Sequence, residues 1–239
     1  MTVSTAAVDG RLARALVPQL HATVRGRILD GQLPPGALVL QATLARQLGV
    51  SRTPLREVFR LLQEEGLITA SPDQRARVRE IDVHELDSTY GARIVLEALG
   101  VAVTVRQATD ADLAELRGWL ARMRALAAGG LSEEWFPAHL EFHRASTQAV
   151  APELARQMSS LRERCELYIR LDRRQDPRAI ERADAEHERL VDAFAEGDAD
   201  AAARVIAQHL SRTALGILAR RAPKWEPAAV QAAVRLVVG

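Results

Sequence analysis

A chain of 239 residues, 48% of them hydrophobic, can bury one large core or two smaller ones, and its single cysteine, Cys165, excludes a disulfide framework and a cysteine-rich zinc site. No apolar run long enough to span a membrane stands out, and the start MTVSTAAVDGRLARAL lacks the basic-then-apolar order of a signal peptide, so a cytoplasmic protein is expected. The formal net charge of +1 hides an asymmetry: residues 10–80 hold 11 Arg against 6 acidic residues (+5), and residues 81–239 hold 21 basic against 24 acidic residues (−3), so the front of the chain carries the charge for a nucleic acid.

In that front part, Leu44, Ala45 and Leu48 place small and apolar groups on one helical face. Gly49 can take the left-handed conformation that ends a helix. Ser51 or Thr53 can cap the next helix, with Pro54 in its first turn, and Leu55, Val58, Phe59, Leu61 and Leu62 recur as a buried stripe up to Gly66. Exposed at the front of this second helix are Ser51, Arg52, Thr53 and Arg56. Arginine can fork onto guanine or phosphate, serine and threonine can donate to phosphate, and a helix N-terminus favours an anion. A basic end on an ordinary helical hairpin is the plainer reading.

Residues 16–81, with LPPGALVLQATLARQLGVSRTPLREVFRLLQEEGLI at their centre, resemble the winged helix-turn-helix domain of GntR-type bacterial transcription regulators. The resemblance implies DNA contacts at Ser51, Arg52, Thr53 and Arg56, and a wing at Asp73-Gln74-Arg75-Ala76-Arg77-Val78 in which Arg75 and Arg77 can reach phosphate or a narrow groove. Ala42 stands where some members carry a further DNA-contacting arginine, and Arg75 where the family usually has a glycine at the wing tip.

Beyond Ile81 the periodicity is helical over 82–107, 109–128, 132–149, 152–173, 177–196, 198–221 and a short tail from 227. Caps are expected at Thr109 with Asp112, at Ser132 and at Asp198. Pro152, Pro177 and Pro227 suit first turns, and Pro223 suits a helix stop. No strand pattern interrupts them. The fold expected is mainly α: a winged helix-turn-helix over 10–80, an all-α antiparallel helical bundle over 81–222, and a tail helix over 223–239.

Of the six histidines, four fall on the later helices of the bundle. His139 and His143 lie one turn apart, and His187 and His209 sit on two later helices, so the four can converge on one point as ligands of a divalent metal. Core histidines with satisfied nitrogens are the alternative. The runs Arg162-Glu163-Arg164 and Asp172-Arg173-Arg174 read as solvated faces.

This half resembles the FCD ligand-sensing domain of the FadR branch of the GntR family, through Arg93-Ile94-Val95-Leu96-Glu97 and Glu141-Phe142-His143-Arg144. Many such domains bind a divalent metal through an aspartate and three histidines. The resemblance puts His143, His187 and His209 on the histidine positions and His139 on the aspartate position. Four imidazoles suit zinc or nickel and leave a dication uncompensated, which favours an anionic ligand. His139 swung aside, with three histidines and open positions, and a site that binds no metal are the other arrangements.

The resemblance implies a small anionic metabolite as effector. Arg93 is the first candidate to meet it, with Arg162 and Tyr168 after it. The expected protein is not an enzyme but a homodimeric, effector-responsive transcription regulator, a repressor by expectation, on a palindromic double-stranded operator, with no membrane partner. The alternative is a metal-dependent enzyme with a DNA-binding-like accessory domain. It lacks an evident general base, because Glu141, two residues from His143, points about 160° away around a helix.

Overall fold

The computed structural model describes residues 5–71, 75–172 and 178–239, which form two compact units divided between Ile81 and Asp82. Asp73 and Gln74 of the expected wing, Arg174, the helix end expected at Arg173, the helix start expected at Pro177 and the Ser132 side chain lie outside what is described.

The first unit runs α1 (Thr5–Leu29), β1 (Leu38–Leu40), α2 (Gln41–Leu48), α3 (Arg52–Glu64), β2 (Ile68–Ser71) and β3 (Arg75–Val78). Leu20, Val24 and Ile28 recur at four-residue spacing on α1 and are buried where α1 packs on α3, whose Leu55, Val58, Phe59 and Leu62 form the opposing stripe. Gly49 ends α2 at φ 67°, and the Val50 N–H donates to the Ala45 carbonyl at 3.0 Å. Ser51 occupies the N-cap of α3 in extended conformation, but its side chain makes no capping bond. The expected cap does not form; the third residue of the helix is Pro54, whose missing N–H removes one of the two backbone donors an N-cap serine can use. The three strands pair antiparallel in the order β1-β3-β2. On β3, Arg75 and Arg77 are exposed while Ala76 and Val78 are buried, as a half-buried strand requires. Arg75, expected at the wing tip, instead opens β3 opposite Ser71.

The second unit is α4 (Val83–Val105), α5 (Asp110–Ala128), α6 (Ser132–Ala145), α7 (Pro152–Asp172), α8 (Ala179–Glu196), α9 (Ala199–Arg221) and α10 (Ala228–Val238). The Thr109/Asp112 capping box and the Asp198 cap, whose carboxylate accepts from the Ala201 N–H at 2.8 Å, form as expected. Helix α6 stops at Ala145, earlier than its pattern suggested. Ser146 and Thr147 there turn their hydroxyls back to the His143 carbonyl. Central α4 packs against α7, α9 and α10. The tail helix α10 is tied to α4 by the buried Asp87 carboxylate, which accepts from the Ala229 and Val230 N–H groups at 3.2 and 3.0 Å. A Cβ at Gly91 would meet Ala229 at 2.9 Å, so glycine is what lets α10 lie this close.

Against the expectation of no such run, α4 is long and apolar enough by composition to cross a membrane. Most of that apolar surface is buried inside the bundle, and α4 also carries the buried Asp87, Arg93 and Glu97.

Candidate functional site

At the start of α3, Ser51, Arg52, Thr53 and Arg56 are all exposed around the helix N-terminus, while Pro54 and Leu55 between them are buried. The absence of a capping bond leaves the Ser51 hydroxyl available to an outside acceptor. Further along, Arg60 is engaged by Glu57 and Glu64 of its own helix. On the wing strand, Arg77 donates to the Gly36 carbonyl at 2.6 Å.

In the second unit, α6 presents His139 and His143 from successive turns, α8 brings His187, and α9 brings His209. All four are buried, and each offers a ligand nitrogen within 4.8 Å of the others. The Nε2 atoms of His139 and His143 are 3.1 Å apart. Tetrahedral zinc, with Zn–N bonds of about 2.0–2.1 Å, spaces its donors roughly 3.3 Å apart, so the widest pairs need a contraction of at most about 1.5 Å. Among the described residues neither nitrogen of His187 finds a hydrogen-bond partner, nor does Nδ1 of His143. Unpaired buried polar atoms cost about 1–3 kcal/mol each, so this arrangement fits a bound cation better than a core of satisfied histidines. Trp135 stacks on the His139 ring, with centroids 4.5 Å apart.

Burial keeps these imidazoles neutral. It pulls His209 down to about 3 and His143 and His187 well below the usual range, with the Arg93 charge acting in the same direction. Burial also lowers His139, against the opposing pull of Glu166. An unfolded histidine titrates near 6.5, so below that pH the unfolded chain binds protons that the folded one refuses, and stability falls as the pH drops from about 6.5 toward 3. Metal-stripped protein is therefore expected to melt at a lower temperature at pH 5 than at pH 7.5. Equal melting at the two values would contradict the buried neutral cluster.

Arg93 is buried, its Nε donates to Glu97 Oε1 at 3.3 Å, and one terminal nitrogen has no partner. The sequence reading placed Arg162 on a solvated face, but it is buried and grips both Glu97 oxygens at 2.6 and 2.9 Å. Two guanidiniums thus share the Glu97 carboxylate, leaving one positive charge in excess. Tyr90, one turn before Arg93, has an unpartnered buried hydroxyl. Asp172 was likewise expected in solvent; it is buried and held by Arg220 and Arg221.

Sequence reasoning missed the carboxylates around the histidines. Glu166 of α7 meets His139 Nδ1 at 3.3 Å, and Glu186 of α8 meets His209 Nδ1 at 2.7 Å. The available signal was that Glu166 follows Cys165 and Glu186 precedes His187, both next to buried positions. A hollow of about 250 Å³ lined by Met123, Trp135 and Ile180 reaches His187. Another of about 400 Å³, lined by Phe136, Ile169 and Ile217, reaches Glu186.

The model of the bacterial regulatory proteins of the gntR family matches residues 16–78, and that of the FCD domain matches residues 88–212. The HTH-type transcriptional regulator McbR of Escherichia coli is 32% identical over 120 residues, covering 50% of this chain and 54% of McbR. The chain spans about half the length of the first curated relatives it matches. The probable D-xylose utilization operon transcriptional repressor of Paenarthrobacter nicotinovorans is 29% identical over 207 residues, covering 86% and 90% of the two chains. The solved structure of Escherichia coli McbR/YncC shares the fold, with a TM-score of 0.61 at 24% identity over 86% of this chain and 98% of that one.

Proposed function

Because the chain belongs to the GntR family of bacterial regulatory proteins and carries an FCD domain, we propose that it is an effector-responsive transcription regulator, acting as a homodimeric repressor on a palindromic operator. In this reading Ser51, Arg52, Thr53 and Arg56 enter the groove, with Arg75 and Arg77 supporting from the wing. His139, His143, His187 and His209 hold a divalent metal, zinc or nickel by the chemistry of imidazole donors. A bound dication surrounded by neutral nitrogens supplies a grip for one carboxylate. Arg93 supplies the second, through the unpartnered terminal nitrogen on a side chain whose charge already acts on all four imidazoles. The effector is therefore a small organic acid.

The convergence of four buried imidazoles beside an arginine with excess charge carries the sensing part of this reading. The relative named as a repressor supports the sign. A metal-dependent enzyme finds less support, since Glu166 and Glu186 are engaged on imidazoles and Glu141 pairs with Arg144. The test is titration of the purified chain, its metal content measured, against the DNA flanking its own gene, with and without a panel of small organic acids. Saturable binding that falls steeply with salt and shifts with one acid is expected. Binding that no acid shifts sinks the sensing role, and no saturable binding sinks the regulator.

A further inference from the structure

Four neutral imidazoles place no negative charge on a dication, yet two buried carboxylates stand directly behind two of those rings. Glu166 reaches from α7 to His139 Nδ1 on α6, and Glu186 reaches from α8 to His209 Nδ1 on α9. Each carboxylate is in turn held by an arginine on its far side: Glu166 by Arg170 at 3.6 Å, and Glu186 by Arg212. Two parallel chains result, His139–Glu166–Arg170 and His209–Glu186–Arg212, the second ending on an exposed arginine, while among the described residues His143 and His187 have no carboxylate behind them.

A carboxylate can only accept, so the Nδ1 facing it must carry the proton and Nε2 keeps the lone pair. In His139 that Nε2 is the atom turned toward His143. We propose that Glu166 and Glu186 are positioning residues of the four-histidine centre, fixing His139 and His209 as its two oriented, more basic ligands and returning from behind the rings the negative charge that the ligands themselves lack. This rests on the metal reading above and goes beyond it, since it ranks the four ligands and explains how a centre without an anionic ligand can hold a dication. Carboxylates placed this way both orient a ligating imidazole and strengthen it as a donor.

The test uses the full chain stripped with a chelator, then titrated with zinc against a chromophoric competitor and with cobalt as a visible reporter. Glu166→Gln and Glu186→Gln keep size and an acceptor oxygen but remove the charge. Each is expected to weaken zinc binding by about 10–100-fold and to shift the cobalt absorption bands. Glu153→Gln, an exposed change on α7, should do neither. Should one variant fail to fold, the other carries the test, because the two chains lie on different helix pairs. Zinc affinity within about 3-fold of wild type, with an unchanged cobalt spectrum, overturns the positioning role while leaving the metal reading intact. A wild-type chain that binds neither ion overturns both.

Discussion

Alanine at both His143 and His187 is expected to take the protein from about one zinc per chain to about none, because the pair of imidazoles left falls short of the three or four protein ligands zinc sites use. The two rings come from different helices, α6 and α8, so their loss removes the part of the donor set that ties those helices to one point. In metal-free protein the substitutions have opposing effects. They open space in a packed interior, but they also delete three buried nitrogens that have no partner. The informative readout is therefore the stabilisation gained on adding zinc. Zinc at a thousand times its Kd would contribute about 4 kcal/mol to wild type and none to the double variant. Operator binding should persist in the variant while its response to the organic acid disappears. Retention of one zinc per chain, measured by plasma emission, would refute the assignment of these two ligands.

The histidines were legible because their evidence is local. An i, i+4 pair and two later singles each fall on a helix, and helices in a bundle bring such positions together. The carboxylates and arginines around them were not, because whether a charged residue is buried depends on which second helix covers it. Arg162 sits between Glu163 and Arg164 and reads as part of a solvated run, yet it lies four residues after buried Met158 and three before buried Cys165. That stripe was the better guide. Asp172 went wrong in the same way, since the two arginines that hold it come from α9. On α4 the same effect obscured an apolar helix: Arg93 and Glu97 interrupt its composition but pair within the core. At α3, the proposed recognition helix, the failure was of the opposite kind and local. Pro54 removes one of the two N–H groups a serine cap can use, the Ser51 side chain makes no bond to the other, and its hydroxyl then belongs with the exposed tip.

That tip yields the other large effect. Arg52→Ala with Arg56→Ala is expected to weaken operator binding by roughly 2–6 kcal/mol if both arginines fork onto base edges, whereas an arginine that neutralises a phosphate would, on removal, lower the slope of log K against log salt by about 0.9. Both side chains are exposed and neither belongs to the stripe of Leu55, Val58, Phe59 and Leu62 that anchors α3, so melting temperature and oligomeric state should hardly change. Arg60 provides the internal control. It lies one turn further along the same helix with the same charge, but its guanidinium is already shared between Glu57 and Glu64. Arg60→Ala should therefore cost far less than either of the other two, even though all three look alike in the sequence. A purely electrostatic helix end would rank the three substitutions equally. Mobility shifts at two salt concentrations separate the possibilities: unchanged binding by the double variant removes the proposed recognition helix, and an Arg60→Ala effect as large as that of Arg52→Ala reduces it to a basic patch without a reading tip.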